Sequence, residues 1–189
     1  MKKLLAIIIL SLCFINSSQA DDIREFQIEG MSIGDSLLDY FNESEIKKNS
    51  RSPWPNKKKY YQFGLRKNFN KYDSITVAYL INDNNYKIHE VSGRQSMNYK
   101  KCQNQMKEIS LEIATLFNSA RKDDRGERNH RSDKTKKSKI KIINFLLNDG
   151  SLIHIGCYKW SKKMNRPDGL NIALASSQFV EWQKNKAFK

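Results

Sequence analysis

Two cysteines, three histidines and one dense run of cations are the residues of this chain whose types and spacing could do chemistry. Cys157 lies in SLIHIGCYKW (151–160), which alternates in the period of a strand. It therefore shares a face with Ile153 and Ile155, while Leu152, His154, Tyr158 and Trp160 point the other way. Cys102 stands on an apolar stripe with helical spacing. If that stripe packs on the Ile153 and Ile155 face, the two sulfurs meet in one helix-sheet layer. A bridge there closes a loop of about 55 residues and contributes roughly 4 kcal/mol on the chain-entropy model. Metal ligation and redox chemistry are the weaker readings: there is no CxxC, and one cysteine with scattered histidines lacks ligand spacing. Two buried free thiols are the bland alternative. The expectation is a Cys102–Cys157 disulfide, with no metal site and no cofactor.

The histidines are His89, His130 and His154. His154, among aromatics on the outward face of its strand, could serve as a general base beside Asp149, which would make the protein a small hydrolase of envelope material. Against that stands the commoner satisfied structural histidine. His89 reads as a solvent-facing strand residue, and His130 falls in the cationic run. GxSxG, HExxH, the phosphate-cradling glycine loop and the dinucleotide fingerprint are all absent. Catalysis is left open, with the balance toward a non-enzymatic protein.

Between Arg121 and Lys141 ten Lys/Arg face four acids, a net of +6. Residues 121 to 139 contain no apolar side chain, so burial cannot repay the entropy of ordering them, and a mobile basic loop is expected. Arg125, Arg128, His130, Arg131, Lys134, Lys136 and Lys137 are its candidate anion contacts. A second candidate surface is Trp54, held between Pro53 and Pro55 and followed by Lys57, Lys58 and Lys59, where an aromatic ring beside cations suits sugar or ring stacking. A solvated loop and a hydrophobic lid over the sheet are the plain alternatives for the two.

Compartment decides which anions matter. MKK followed by LLAIIILSLCFI and NSSQA has the charged, apolar and small-residue regions of a signal peptide, with cleavage expected after Ala20. The bulky Leu12 before Cys13 argues against a lipoprotein site. The apolar run is short of the roughly 20 residues of a membrane span. With Lys2 and Lys3 set aside, 32 Lys/Arg face 20 Asp/Glu, a net of +12. An exported protein of that charge is expected in the periplasm or secreted, with an anionic envelope polymer, a lipid headgroup or an acidic protein as partner rather than nucleic acid.

The elements that must position these groups follow from hydrophobic period. Residues 21–189 have the size of a single domain. REFQIEG reads as a short strand, and MSIGDSLLDYF as a helix capped by Ser32. Period two then runs through Tyr61, Phe63 and Leu65, through Ile75, Val77, Tyr79 and Ile81, and through YKIHEVSG. Tyr99, Cys102, Met106, Ile109, Ile113, Leu116 and Ala120 form one stripe on a long helix. IKIINFLL and SLIHIGCYKW flank NDG as a hairpin, LNIALA adds a last strand, and Ser176 caps a closing helix with Phe179 and Trp182. The expected fold is α+β: an antiparallel sheet of about six strands with helices packed mainly on one face.

FQIEGMSIGDSLLDYFNESEIKKN, with the Cys102 helix, the basic run and GCYKWS, resembles a group of small exported proteins from AT-rich bacterial genomes. The resemblance runs over most of the mature chain and implies secretion and a shared fold, with no activity and no catalytic residue attached. GMSIGDS is also similar to the strand-turn-helix opening of small envelope lipoproteins related to outer-membrane assembly factors and the β-lactamase-inhibitor fold, whose lipid-bearing cysteine has no counterpart here.

Overall fold

Each period-two run becomes a strand of one antiparallel sheet in the computed structural model, which describes residues 22–56, 59–66 and 69–188. The leader and the basic pair Lys57 and Lys58 lie outside the described residues. The strands are β1 (Ser50–Arg51), β2 (Tyr60–Leu65), β3 (Ser74–Leu80), β4 (Glu90–Ser96), β5 (Arg121–Asn129), β6 (Lys139–Leu146), β7 (Leu152–Lys159) and β8 (Gly169–Ala175). Their order is β1-β2-β3-β4-β8-β7-β6-β5. Two meanders, β1 to β4 and β5 to β8, are thus joined where β8 pairs with β4, Val91 opposite Leu174 and Gly93 opposite Ile172. The helices are α1 (Glu43–Lys48), α2 (Tyr99–Leu116) and α3 (Ser177–Asn185). Each starts at a side-chain cap: Asn42 accepts from the Glu45 N–H, Asn98 from Lys101 and Ser176 from Phe179.

The sheet has eight strands, more than the expected six or so, and the additional ones have a physical reason. β1 is too short to carry a period. β5 is the segment expected to be a loop: it pairs with β6 from Arg121 opposite Leu146 to Asn129 opposite Lys139. A ladder needs only backbone groups, and charged side chains are what an exposed edge strand uses to discourage further pairing. The register shifts between Asp124 and Glu127, where Gly126 takes φ 59°.

The expected first strand and helix are replaced by irregular backbone. Ile28 bridges Met31 across Glu29 and Gly30, both at positive φ, and Ile23–Glu25 and Leu37–Asp39 make short 3-10 turns. Pairings to distant backbone take the place of helical bonds: Gly34 N–H donates to Ile88 C=O, and Leu37 N–H to Tyr86 C=O. The apolar residues Ile28, Met31, Ile33 and Leu37 are nonetheless all buried in the main core.

That core lies on one face of the sheet. Phe63, Val77, Val91, Leu174, Ile155 and Phe145 share it with Met106, Ile113 and Phe117 from α2 and its end. Cys102 and Cys157, both fully buried, are bridged there with Cα atoms 5.8 Å apart. Two of the three helices pack on this face, α1 through Ile46 and α2 through its stripe, while α3 covers one end of the opposite face, where Phe179 and Trp182 pack with Trp54, Tyr60, Ala78 and Ala175. No helix among the described residues is long and apolar enough to cross a membrane.

Candidate functional site

Beyond α3, no helix among the described residues covers the second face of the sheet, and strand register states which side chains occupy it. One row across the sheet is Gly64, Thr76, Ser92, Ala173, His154 and Asn144. The next runs Ser74, Arg94, Asn171, Gly156 and Ile142, and a third Ser96, Gly169, Tyr158, Ile140 and Arg128. The same strands that give the α2 face its aliphatic residues therefore give this face hydroxyls, amides and arginines.

At the β1 to β4 end these residues line an open trough of about 730 Å³, bounded by Arg51, Arg66, Arg94, Gln62, Thr76, Ser92 and Asn171 among others. Thr76 and Ser92 share a hydrogen bond of 2.6 Å. Arg94 Nη2 donates to the Pro167 carbonyl at 2.6 Å, which fixes its guanidinium. Burial, together with the nearby Arg166 and Arg66 cations, pushes the Arg94 guanidinium below its ordinary value, with Tyr158 and Asp73 opposing. Among the described residues, none of Arg51, Arg66, Arg94 and Arg166 forms an ion pair.

At the β5 to β7 end the face turns aromatic. Tyr158 and Trp160 stack with centroids 5.7 Å apart, His130 lies 4.5 Å from Trp160, and the Arg166 guanidinium sits 5.0 Å over the Trp160 ring. A Cβ on Gly156 would come 2.8 Å from the Tyr158 ring and 3.0 Å from His154 Nε2, so both rings converge over that glycine. His154 Nδ1 is 2.9 Å from Asn144 Oδ1. Burial, with Arg125 and Arg128 adding to it, pushes the imidazole down to about 4, so it is neutral in ordinary media.

The proposed base pairing of His154 with Asp149 has no counterpart in this geometry. Asp149 turns the other way and accepts from the Ser151 N–H and hydroxyl at 2.8 and 2.7 Å. His89 is buried rather than solvent-facing, bonded to Ser176 Oγ at 3.2 Å. Among the described residues no cluster of His, Cys, Asp and Glu could hold a metal.

The cationic candidates separate into distinct groups. Arg128 stands on the uncovered face opposite Ile140, Arg125 sits in the β5 bulge bonded to Asp123, and His130 joins the aromatic stack. Arg131, Lys134, Lys136 and Lys137 ring a turn built around Asp133 and are exposed. Asp133 itself is buried and accepts from the N–H and hydroxyl groups of both Thr135 and Ser138. Trp54 is placed elsewhere: its ring is buried edge-on against Phe179 and Trp182, as a lid over the sheet, and Lys59 lies with its Nζ 5.4 Å from the Tyr60 ring. Composition singles out none of Arg51, Arg66, Arg94 and Arg166, because they are scattered along the chain. The signal that finds them is the polar phase of the strand alternation, Gln62-x-Gly64-x-Arg66 and Ser92-x-Arg94.

No protein-family model, no curated protein and no solved structure matches this chain.

Proposed function

We propose that the chain is a non-enzymatic periplasmic or secreted binding domain for an anionic envelope component, and that the uncovered sheet face is where the anion lands. The observation that carries this reading is geometric: Arg51, Arg66 and Arg94 line one trough and Arg166 lies near enough for its charge to act on Arg94, with no carboxylate in an ion pair with any of them among the described residues. Like charges held together on a partly buried surface cost free energy that an anionic ligand removes. The disulfide supports export to an oxidising compartment. A hydrolase is less well supported, because His154 is held by an amide rather than by a carboxylate.

The test is binding of the purified mature protein to sodium polyphosphate and to vesicles rich in anionic lipid, at low and at physiological salt. Wild type should bind at least one of them in a salt-sensitive manner, and Arg128→Glu/Arg166→Glu should weaken it about tenfold or more at low salt. Equal affinities for wild type and variant would remove the face from the reading.

A further inference from the structure

The trough at the β1 to β4 end is lined by cations, amides and hydroxyls together. Resting on the anion-binding reading above, we propose that it holds an anionic polysaccharide, charged groups on Arg51, Arg66 and Arg94 and sugar hydroxyls on Gln62, Thr76 and Asn171.

Shape is the first support. The lining spans β1, β2, β3, β4 and β8, adjacent strands that together cover roughly 19 Å at the usual interstrand spacing. An open channel of that length suits a chain rather than a single small ion. Chemistry is the second. The lining contains no aromatic and no acidic side chain among the described residues. Single-stranded nucleic acid is held by stacking its bases on aromatic rings, which this trough lacks. A bilayer surface is flat and takes apolar side chains below its headgroups, whereas the apolar lining here is confined to Leu65 and Ile75, and both side chains pack in the main core. Amides offer both donors and acceptors, which is what successive sugar hydroxyls require, and the guanidinium fork matches sulfate, phosphate or carboxylate oxygens in pairs.

The experiment measures binding of the full mature protein to dextran sulfate, neutral dextran, sodium polyphosphate and a single-stranded oligothymidylate. Arg51→Gln/Arg66→Gln removes charge at exposed positions, and Asn171→Leu removes hydrogen bonding without removing charge; melting transitions confirm that each variant folds. Dextran sulfate should bind most tightly, the double arginine variant should weaken it about tenfold, and Asn171→Leu should weaken it several-fold while leaving polyphosphate unchanged. Polyphosphate or oligothymidylate binding as tightly as dextran sulfate, with Asn171→Leu indifferent, would show that the trough reads charge alone and would overturn the polysaccharide proposal while the broader anion reading stands. Neutral dextran binding as well as the sulfated form would overturn it by removing the arginines. Failure of every polyanion to bind would overturn both.

Discussion

The Tyr72 ring lies across Gly93: a Cβ built on that glycine would stand 2.6 Å from ring atoms Cγ and Cδ1. Gly93 sits in the middle of β4 between Ile75 and Ile172, so the missing side chain is what lets a tyrosine fill the core layer there. Burial and the nearby Glu29 push the tyrosine hydroxyl up to about 12. Gly93→Ala should therefore cost about 1–3 kcal/mol of stability as an overpacked core site. Denaturant unfolding of Gly93→Ala, Tyr72→Leu and the double variant checks this: the two effects should be strongly non-additive. Simple additivity would mean that the ring does not rest on the glycine.

Cys102 and Cys157 join α2 to β7 across the main core, 55 positions apart in sequence. Closing a loop of that size removes enough unfolded-state entropy to stabilise the fold by about 4 kcal/mol. Cys102→Ala/Cys157→Ala should lose an amount of that order, read as a lower denaturant midpoint with a steeper slope, because the unfolded chain without the bridge is less compact and exposes more surface. Because both sulfurs are fully buried, the native protein should also resist mild reductant that readily reduces the unfolded chain. A variant as stable as wild type would show that the staple holds nothing.

Most of the α2 stripe, the strand runs after the first, and the pairing of the two cysteines are legible in the amino-acid order, because a local period sets which face each side chain takes; Leu116 is exposed and Ala120 lies beyond the helix end. What stayed hidden was set by long-range pairing. Nothing in RKDDRGERN announces a strand, since its reason for being one is the unpaired edge of β6. MSIGDSLLDYF has helical spacing, yet its Gly34 and Leu37 amides donate to Ile88 and Tyr86, and the local bonds that remain are mostly those of turns. For the binding face, the basic run points to Arg128 and His130, while the trough arginines become neighbours only once the β2-β3-β4-β8 register is known. Pro53-Trp54-Pro55 looks like an exposed aromatic loop, and only the position of α3 shows that Trp54 is a core residue.

Asp133 organises the turn between β5 and β6. Donors from Ser138, then Thr135, hold its carboxyl well below the usual carboxylate range. A depressed native pKa means that this stabilisation is fully present above the ordinary value of 3.8 and is lost as pH falls below it. Hydrogen exchange at the Thr135 and Ser138 amides should therefore be slow at neutral pH and speed up, relative to the rest of the sheet, on strong acidification. Asp133→Asn should exchange quickly at these amides at every pH, with the β6 and β7 ladder protected as in wild type. Unchanged protection in the variant would assign the turn's order to other contacts.

Glu90 carries the opposite sign. It lies on β4 between Ala78 and Ala175, toward the α3 side of the sheet, and its Oε2 is buried without a hydrogen-bond partner among the described residues. Burial pushes the carboxyl up to about 8, against a smaller opposing effect of its hydrogen bond with Ser92. A native pKa above the ordinary 4.5 favours the protonated acid, so the contribution of Glu90 to stability is complete below pH 4.5 and is lost as pH rises through about 8. Urea midpoints should fall for wild type across that window. Glu90→Gln keeps the shape, cannot ionise, and should match wild type near pH 4 while exceeding it at pH 9. If both proteins lose stability in parallel between those values, the burial of Glu90 is not what makes the fold sensitive to base.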